Sequence, residues 1–179
     1  PVSLIDRREI LDETWSLSCQ GKGTCVGYPI PGVEIKIIEI TDQPILNWQD
    51  VTESDANTVG EIVVKAEWAT RTYYNRQDLN QLAKIEYGNS FWHRMGDLGR
   101  LDEKNRLWFY GRKNQRVVTE LETLYTIPCE AIFNQHPDVK RSALVGTGSK
   151  KMAVIIIEPV NLERIKSLVS RNKFTEELL

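Results

Sequence analysis

The stretch that decides the fold of this chain lies between residues 93 and 112 and has the sequence HRMGDLGRLDEKNRLWFYGR. Apolar and aromatic residues are frequent towards its two ends, and the polar run at residues 102–106 separates them. A polar interruption between two strand-like runs is typical of a β-hairpin. We therefore predict strands at residues 91–101 and 107–111 that are joined by a turn.

Asp97 and Arg112 are the two charged residues of this hairpin that we consider as ligand-binding groups. A carboxylate offers two oxygens that can each accept a hydrogen bond, which matches the two adjacent hydroxyls of a ribose. Gly96 and Gly99 flank Asp97 and would let a ligand approach the backbone, and Arg112 would add a fixed cation near the ribose or its phosphate. The same residues also fit a simpler arrangement, in which a Gly-Asp turn ends a strand and the arginine pairs with a surface acid.

The residues that precede the hairpin predict further short strands. Residues 33–40 alternate between apolar and polar types with one slip, which indicates either a bulge or a buried strand end. Residues 60–65 alternate regularly. The segment between them is rich in turn-forming residues, so these two strands should form a hairpin with a long loop. Residues 1–24 are weakly patterned and predict a loop, and Asn75 predicts a capped helix that ends near Ile85.

After Arg112 the pattern changes to strands and helices in succession. Residues 117–126 predict a small hairpin, and Thr126 with Pro128 predicts the N-cap and first turn of a helix that ends before Pro137. The remaining predicted elements are strands at residues 141–145 and 152–158 and a helix that Asn161 caps.

These elements together predict an α+β fold with two parts. Residues 1–112 should form a small antiparallel β-barrel-like subdomain. Residues 113–179 should begin an α+β domain, and the boundary between the two parts should lie near residues 113–115.

The composition excludes several classes of function. Hydrophobic residues make up 41% and charged residues 27% of the chain, which is typical of a globular protein. The net charge of −2 gives no electrostatic reason to expect nucleic acid as a partner, and no apolar run approaches the ~20 residues that a transmembrane helix needs. Cys19, Cys25 and Cys129 are expected to be free thiols in the cytoplasm. His93 and His136 lie far apart in the sequence, so we expect no histidine-based metal site.

The hairpin resembles two motifs of the adenylate-forming superfamily, which includes acyl-CoA synthetases, luciferases and the adenylation domains of peptide synthetases. His93-Arg94-Met95-Gly96-Asp97 resembles its Tyr-Arg-Thr-Gly-Asp motif, and Leu107-Trp108-Phe109-Tyr110-Gly111-Arg112 resembles the strand that ends in its Gly-Arg. Further resemblances occur in the expected order at Gly27-Tyr28-Pro29-Ile30-Pro31-Gly32-Val33, Gly60-Glu61-Ile62 and Pro128-Cys129-Glu130-Ala131-Ile132. An ordered series of motifs is far more specific than any one short motif.

Within the superfamily, the chain resembles the olefin-biosynthesis β-lactone synthetases at residues 23–27, 93–99, 111–113, 124–126 and 128–130. Those enzymes use ATP to close a long-chain 2-alkyl-3-hydroxy acid into a β-lactone. The resemblance implies a C-terminal segment of a cytoplasmic AMP-forming enzyme, whose lid domain would begin at residue 113. It also implies that the intact enzyme uses ATP and Mg²⁺ and binds its long-chain acyl substrate through an N-terminal part.

The resemblance implies roles for three residues. Asp97 matches the aspartate that binds the ribose hydroxyls, and Arg112 matches the arginine beside it. Asn114 replaces the Asp or Lys hinge about which the superfamily's lid rotates. The superfamily's phosphate-binding loop and catalytic lysine have no counterpart in this sequence, and both ends look cut, so we expect no catalytic residue in the segment and no activity from it alone.

Two other functions remain open at this point. The sequence Thr123-Leu124-Tyr125 stands where CoA-using ligases carry a Gly-x-Arg/Lys loop, which favours the lactone branch over a long-chain fatty acyl-CoA or acyl-AMP ligase. A small barrel with an appended α+β unit could also serve as a non-catalytic protein-interaction module.

Overall fold

An antiparallel sheet of seven strands forms most of the structure, a computed structural model that describes residues 1–147 and 151–156. The strands are β1 (Ser3–Leu4), β2 (Thr24–Pro29), β3 (Val33–Ile38), β4 (Gly60–Ala66), β5 (Lys84–Tyr87), β6 (Ser90–Leu101) and β7 (Leu107–Arg112). They follow the order β1-β2-β7-β6-β4-β3, and β5 pairs separately with β6. The sheet curls into a half-barrel, which confirms the predicted α+β class with a barrel-like antiparallel part.

Short helices and two small hairpins complete the described structure. The helices are α1 (Arg7–Glu9), a π-helical turn (Ile10–Thr14), α2 (Trp15–Cys19), α3 (Gln77–Ala83) and α4 (Thr126–Phe133), with 3-10 turns at Trp48–Asp50 and Lys113–Gln115. The hairpins pair β8 (Val117–Val118) with β9 (Thr123–Leu124) and β10 (Ser142–Thr147) with β11 (Lys151–Ile156). Within the described residues, none of the helices has the length and apolar character needed to span a bilayer.

The sheet is buried on both faces at the β3–β4 end. Ile37 packs with Ile62 on one face, whereas Ile38 packs with Val63 and Trp92 on the other. Adjacent residues of a strand point to opposite faces, so two successive buried isoleucines require cover on both sides. The slip in the apolar pattern is therefore not a bulge, because β3 keeps a continuous register with β4.

The predicted hairpin of residues 91–111 is confirmed as β6 and β7. Trp92 and Trp108 are 2% and 1% exposed, so both rings belong to the core. The hairpin predicted across residues 33–65 and the small hairpin after residue 116 are also confirmed.

The loop predicted for residues 1–24 is wrong. Residues 7–19 are helical, and the segment begins at Asp6, whose side chain accepts a hydrogen bond from the Arg8 backbone N–H at 2.7 Å. Only Thr14 is buried in this segment, whereas Leu11 and Trp15 are each 59% exposed. A helix that leaves large apolar side chains in solvent has no periodic apolar face, so the sequence pattern did not reveal it.

The helix predicted from Asn75 to Ile85 is shorter than expected. Asn75 has a left-handed φ of 52° and Arg76 is the N-cap residue, so Asn75 is not the cap. Ile85 lies in β5, which pairs with β6 across a turn at residues 88–89. Pairing with a long neighbouring strand therefore outweighs the local helical pattern.

The other helix start also differs by one residue. Tyr125 is the N-cap of α4, and Thr126 is its first residue. The strands predicted at residues 141–145 and 152–158 correspond to β10 and β11 as far as Ile156. The end of the second strand and the helix predicted to start at Asn161 lie outside the described residues.

A buried arginine attaches the N-terminal helical segment to the turn between β6 and β7. Arg106 is 4% exposed, and its Nε lies 2.8 Å from Asp102 Oδ2. Its Nη1 lies 3.0 Å from Glu9 Oε1 and 3.1 Å from Glu13 Oε2. Burial opposes the ionisation of Asp102, but hydrogen bonds from the Trp108 indole and from Arg106 outweigh it and lower the pKa of this carboxyl.

A second buried ion pair fastens the long β3–β4 loop to the sheet. Arg94 Nη2 donates to Glu61 Oε2 at 2.7 Å, and both side chains are 1% exposed. Arg94 also donates to the backbone carbonyls of Thr41 at 2.6 Å and Gln43 at 2.8 Å. These bonds supply most of the hydrogen-bond partners that an ion pair needs if its burial is not to destabilise the fold, while Glu61 Oε1 and Arg94 Nε have none among the described residues.

We expect Asp102→Asn to lower the free energy of unfolding at pH 7 by about 2–3 kcal/mol, because it removes a charged acceptor from buried Arg106 and Trp108. The native pKa of Asp102 is lowered, so its contribution is present above the unfolded-state pKa of about 3.9 and is lost as the pH falls through the native value. Denaturant titrations between pH 7 and pH 3 should show the variant and wild type converging in acid. Exposed Asp55→Asn is the control, and a difference that does not depend on pH would contradict this account.

We expect Glu61→Gln to destabilise the fold by about 3–5 kcal/mol, because it leaves the buried Arg94 guanidinium without a counter-charge. Glu34→Gln is the matched control, since Glu34 pairs with Lys65 at 2.8 Å on the same hairpin but is 62% exposed. The control should change stability by at most about 1 kcal/mol. Equal losses for the two variants in urea unfolding would refute a special role for the buried pair.

Candidate functional site

Asp97 and Arg112 face each other on the paired strands β6 and β7. Their Cα atoms are direct partners in the antiparallel register, and Arg112 Nη1 lies 2.9 Å from Asp97 Oδ1. The Asp97 side chain is 14% exposed, whereas that of Arg112 is 58% exposed. The pair therefore joins a largely buried carboxylate to a cation that reaches into solvent.

A bulge in β6 sets the direction of Asp97. Against β4, the register passes from Val63↔Arg94 to Glu61↔Leu98, so β6 uses two more residues than its partner over this interval. Gly96 lies inside it with a φ of 71°, and a Cβ added there would meet no atom within 4 Å. Bulges redirect side chains and are frequent beside active sites, and here the open backbone at Gly96 lies next to the candidate carboxylate.

The protonation of Asp97 is governed by two opposing effects. Burial raises the pKa of this carboxyl, and the nearby Arg112 charge lowers it only partly. The Arg112 N–H groups are not aligned with Oδ1, so this buried oxygen has no hydrogen-bond partner among the described residues. Oδ1 is buried against Arg112, whose Nη1 lies 2.9 Å away. The Asp97 side chain keeps 14% of its surface exposed, and a ligand hydroxyl can approach the carboxylate there.

A cleft of about 360 Å³ lies beside Gly96. Its apolar wall comes from α3, through Leu79, Leu82 and Ala83. Its charged wall includes Glu61 and Lys113. The cleft thus borders the Asp97 region on one side and the segment that follows β7 on the other.

Asn114 lies in the 3-10 turn Lys113–Gln115, directly after β7. Its φ is not left-handed, in contrast to Asn57, Asn75 and Asn105, so the structure does not use the tolerance of asparagine for unusual backbone angles at this position. Asn114 lines a second cleft of about 490 Å³ together with residues of α4 and β10. The predicted hinge therefore stands between the main sheet and the elements that follow it.

Lys113 is a residue of this region that sequence reasoning missed. Its Nζ donates to Glu61 Oε2 at 3.0 Å and to the Thr41 carbonyl at 2.9 Å, and its side chain is 17% exposed. The lysine thus joins the buried Glu61–Arg94 pair. Its position after a Gly-Arg motif was visible in the sequence, but no local pattern relates it to a carboxylate 52 residues away.

Arg116 makes the corresponding contact on the other side of Asn114. Its Nη2 donates to Asp42 Oδ2 at 2.5 Å, and its Nη1 donates to the Lys113 carbonyl at 2.7 Å. The hydrogen bond from Arg116 lowers the pKa of Asp42, so this carboxyl is a stable anion at neutral pH. Neither residue was singled out from the sequence.

The remaining titratable groups do not form a metal site within the described residues. No group of three or more His, Cys, Asp or Glu side chains is placed there to hold an ion. His93 Nδ1 lies 3.1 Å from Lys84 Nζ, and burial together with the lysine charge lowers the pKa of the imidazole. All three cysteines are unpaired, as the sequence predicted.

The chain is similar to two bacterial olefin beta-lactone synthetases. It is 42% identical over 165 residues to the enzyme of Xanthomonas campestris pv. campestris, with 88% of this chain and 30% of the relative covered. It is 40% identical over 162 residues to the enzyme of Stenotrophomonas maltophilia, with 88% of this chain and 29% of the relative covered. The chain thus spans about three tenths of the length of these relatives, and no protein-family model matches it.

Solved structures of one synthetase share its fold. The unliganded O-succinylbenzoate coenzyme A synthetase of Bacillus subtilis superimposes with a TM-score of 0.71 at 20% identity, covering 97% of this chain and 34% of the synthetase. The same synthetase in complex with ATP and magnesium ion gives a TM-score of 0.66 at 24% identity, covering 84% of this chain and 30% of the synthetase. The chain is therefore a segment of the adenylate-forming superfamily, homologous to its olefin beta-lactone synthetases.

Proposed function

We propose that this segment works within a longer AMP-forming enzyme, where Asp97 holds the ribose of ATP and Arg112 lies beside that nucleotide. The observation that carries the proposal is the Asp97 carboxylate, which is 14% exposed, is presented at a bulge and pairs with Arg112 at 2.9 Å. A ribose diol offers two donors at the spacing that one carboxylate accepts. The open backbone at Gly96 leaves room for the sugar to approach.

The chemistry proposed for the longer enzyme is the activation of a carboxylic acid by ATP. The carboxylate of the acid attacks the α-phosphate, and pyrophosphate leaves as the acyl-adenylate forms. Such a reaction depends on positioning and on neutralising charge as it develops. In this proposal the segment positions the nucleotide and carries the Asn114 hinge of a lid that begins at residue 113, and it supplies no catalytic residue and no activity alone.

The proposed substrate is a long-chain 2-alkyl-3-hydroxy acid that is closed to a β-lactone. The 40–42% identity to olefin beta-lactone synthetases supports this choice. ATP with Mg²⁺ as cofactors is supported by the shared fold with a synthetase solved in complex with both. A long-chain acyl pocket in the rest of the enzyme and a cytoplasmic location belong to the same proposal.

A long-chain fatty acyl-CoA or acyl-AMP ligase is the second candidate, because 2-succinylbenzoate–CoA ligases are also similar to the chain, including the one of Arabidopsis thaliana at 26% identity. Thr123 and Leu124 form β9 and Tyr125 caps α4 at the position where the sequence lacks a Gly-x-Arg/Lys loop. This observation favours the lactone reaction. A non-catalytic interaction module is a weaker candidate, since it does not account for the Asp97–Arg112 pair presented at the bulge.

We expect Asp97→Ala in the longer enzyme to weaken the binding of ATP by about 2–4 kcal/mol, because two charge-assisted hydrogen bonds to the ribose are lost. ATP–pyrophosphate exchange should then show a rise in the KM for ATP of about 30-fold or more. Glu103→Gln is the matched control, since Glu103 is exposed in the turn of the same hairpin. An unchanged KM in Asp97→Ala would rule out the ribose assignment.

We expect the longer enzyme to convert a long-chain 2-alkyl-3-hydroxy acid and ATP into a β-lactone, AMP and pyrophosphate without added CoA. Mass spectrometry of the lipid product and chromatography of the nucleotide give both readouts. A fatty acid of equal chain length with CoA is the comparison. Formation of acyl-CoA from that pair, without lactone from the hydroxy acid, would replace the lactone proposal by the ligase.

A further inference from the structure

Two ion pairs flank Asn114 and fix the chain on either side of it. Before Asn114, Lys113 Nζ contacts Glu61 Oε2 at 3.0 Å and the Thr41 carbonyl at 2.9 Å. After Asn114, Arg116 Nη2 contacts Asp42 Oδ2 at 2.5 Å. Both partners outside the turn belong to the β3–β4 hairpin, so one part of the sheet holds both sides of the predicted hinge.

The two contacts differ in burial and hence in how readily they open. The Glu61 side chain is 1% exposed, and its loss of Lys113 would leave a buried carboxylate with less compensation. The Asp42 side chain is 64% exposed, so water can solvate it as soon as Arg116 leaves. The Arg116 side chain is 16% exposed, so the pair has one solvated and one largely buried partner. Such a pair is weaker than one that buries its carboxylate, so the second contact opens at a smaller energetic cost than the first.

We infer that Asp42 is a positioning residue. Its ion pair with Arg116, which we call the clasp, holds the segment after Asn114 in one orientation until the lid rotates. This inference rests on the proposed function, in which Asn114 is the hinge. Lys113 then stays attached to Glu61 as the fixed side of the hinge. Arg116 is the first anchored residue of the moving side, so rotation at Asn114 has to separate it from Asp42.

Arg116 makes a second hydrogen bond, which is local to the hinge. Arg116 Nη1 donates to the Lys113 carbonyl at 2.7 Å, across the hinge residue itself. This bond does not fix Arg116 to the sheet, because Arg116 directly follows the short turn that Lys113 begins. Once Asp42 releases the guanidinium, the Arg116 side chain has no other ion pair or hydrogen bond with the β3–β4 loop among the residues that the structure describes. Asp42 is therefore the contact that couples the orientation of the following elements to the sheet.

The test uses the longer enzyme with Asp42→Asn, Asp42→Glu and Glu53→Gln variants. Glu53→Gln is the matched control, because Glu53 also forms an exposed ion pair, with Lys36 at 2.5 Å, but lies away from the hinge. Limited trypsin digestion followed by mass spectrometry measures the rate of cleavage after Arg116 in each variant. The same preparations are assayed for ATP–pyrophosphate exchange and for complete turnover.

We expect cleavage after Arg116 to be about two- to fivefold faster in Asp42→Asn than in wild type, as the loss of an exposed ion pair predicts. Glu53→Gln should match wild type at this bond, and Asp42→Glu should restore most of the protection. We also expect Asp42→Asn to change the ratio of pyrophosphate exchange to complete turnover at least twofold, whereas a merely structural contact would change both rates together.

Equal cleavage rates in Asp42→Asn and Glu53→Gln would overturn the clasp. Faster cleavage with an unchanged ratio of the two activities would overturn its role in positioning the lid. Wild type without pyrophosphate exchange would instead overturn the proposed function, and the comparison of cleavage rates would still decide whether the clasp exists.

Discussion

A single buried carboxylate, that of Glu61, holds together three parts of this chain. It accepts hydrogen bonds from Arg94 of the long central strand and from Lys113 of the turn that follows the hairpin, and both donors also bind the Thr41 carbonyl of the β3–β4 loop. A charge in this position is stable only when all its partners are present. The location of the loop, the course of the central strand and the start of the region after β7 are therefore determined together.

The candidate nucleotide contact depends on the same central strand but on a different property of it. Arg94 is fixed to Glu61, and two residues later the strand bulges and presents Asp97 next to the open backbone of Gly96. The buried Arg94–Glu61 pair fixes the strand in place. The bulge redirects the Asp97 side chain and leaves the backbone of Gly96 open to a ligand. Binding groups carried by a rigid strand are held more precisely than groups on a loop.

The sequence predicted what depends on local pattern and missed what depends on distant partners. The β6–β7 hairpin follows from apolar runs around a polar turn, whereas the facing positions of Asp97 and Arg112 also depend on a register shift at Leu98–Gly99. The helical segment at residues 7–19 has no apolar face, and Ile85 joins a strand only because β6 pairs with it, so local pattern failed at both. Lys113 and Arg116 acquire their roles from Glu61 and Asp42, which lie far from them in the sequence, and no spacing rule connects these residues.

The Arg106 cluster has a consequence for the order in which the chain folds. Glu9 is 97 residues from Arg106, and Glu13 is 91 residues from its other partner, Lys104, so the attachments of the first helical segment close very long loops. A short helix with few buried side chains is marginal in isolation, and contacts of such long range form late because the entropy of loop closure must be overcome first. The helical segment at residues 7–19 should therefore remain unfolded during synthesis until the β6–β7 turn has left the ribosome, although it is made about 90 residues earlier.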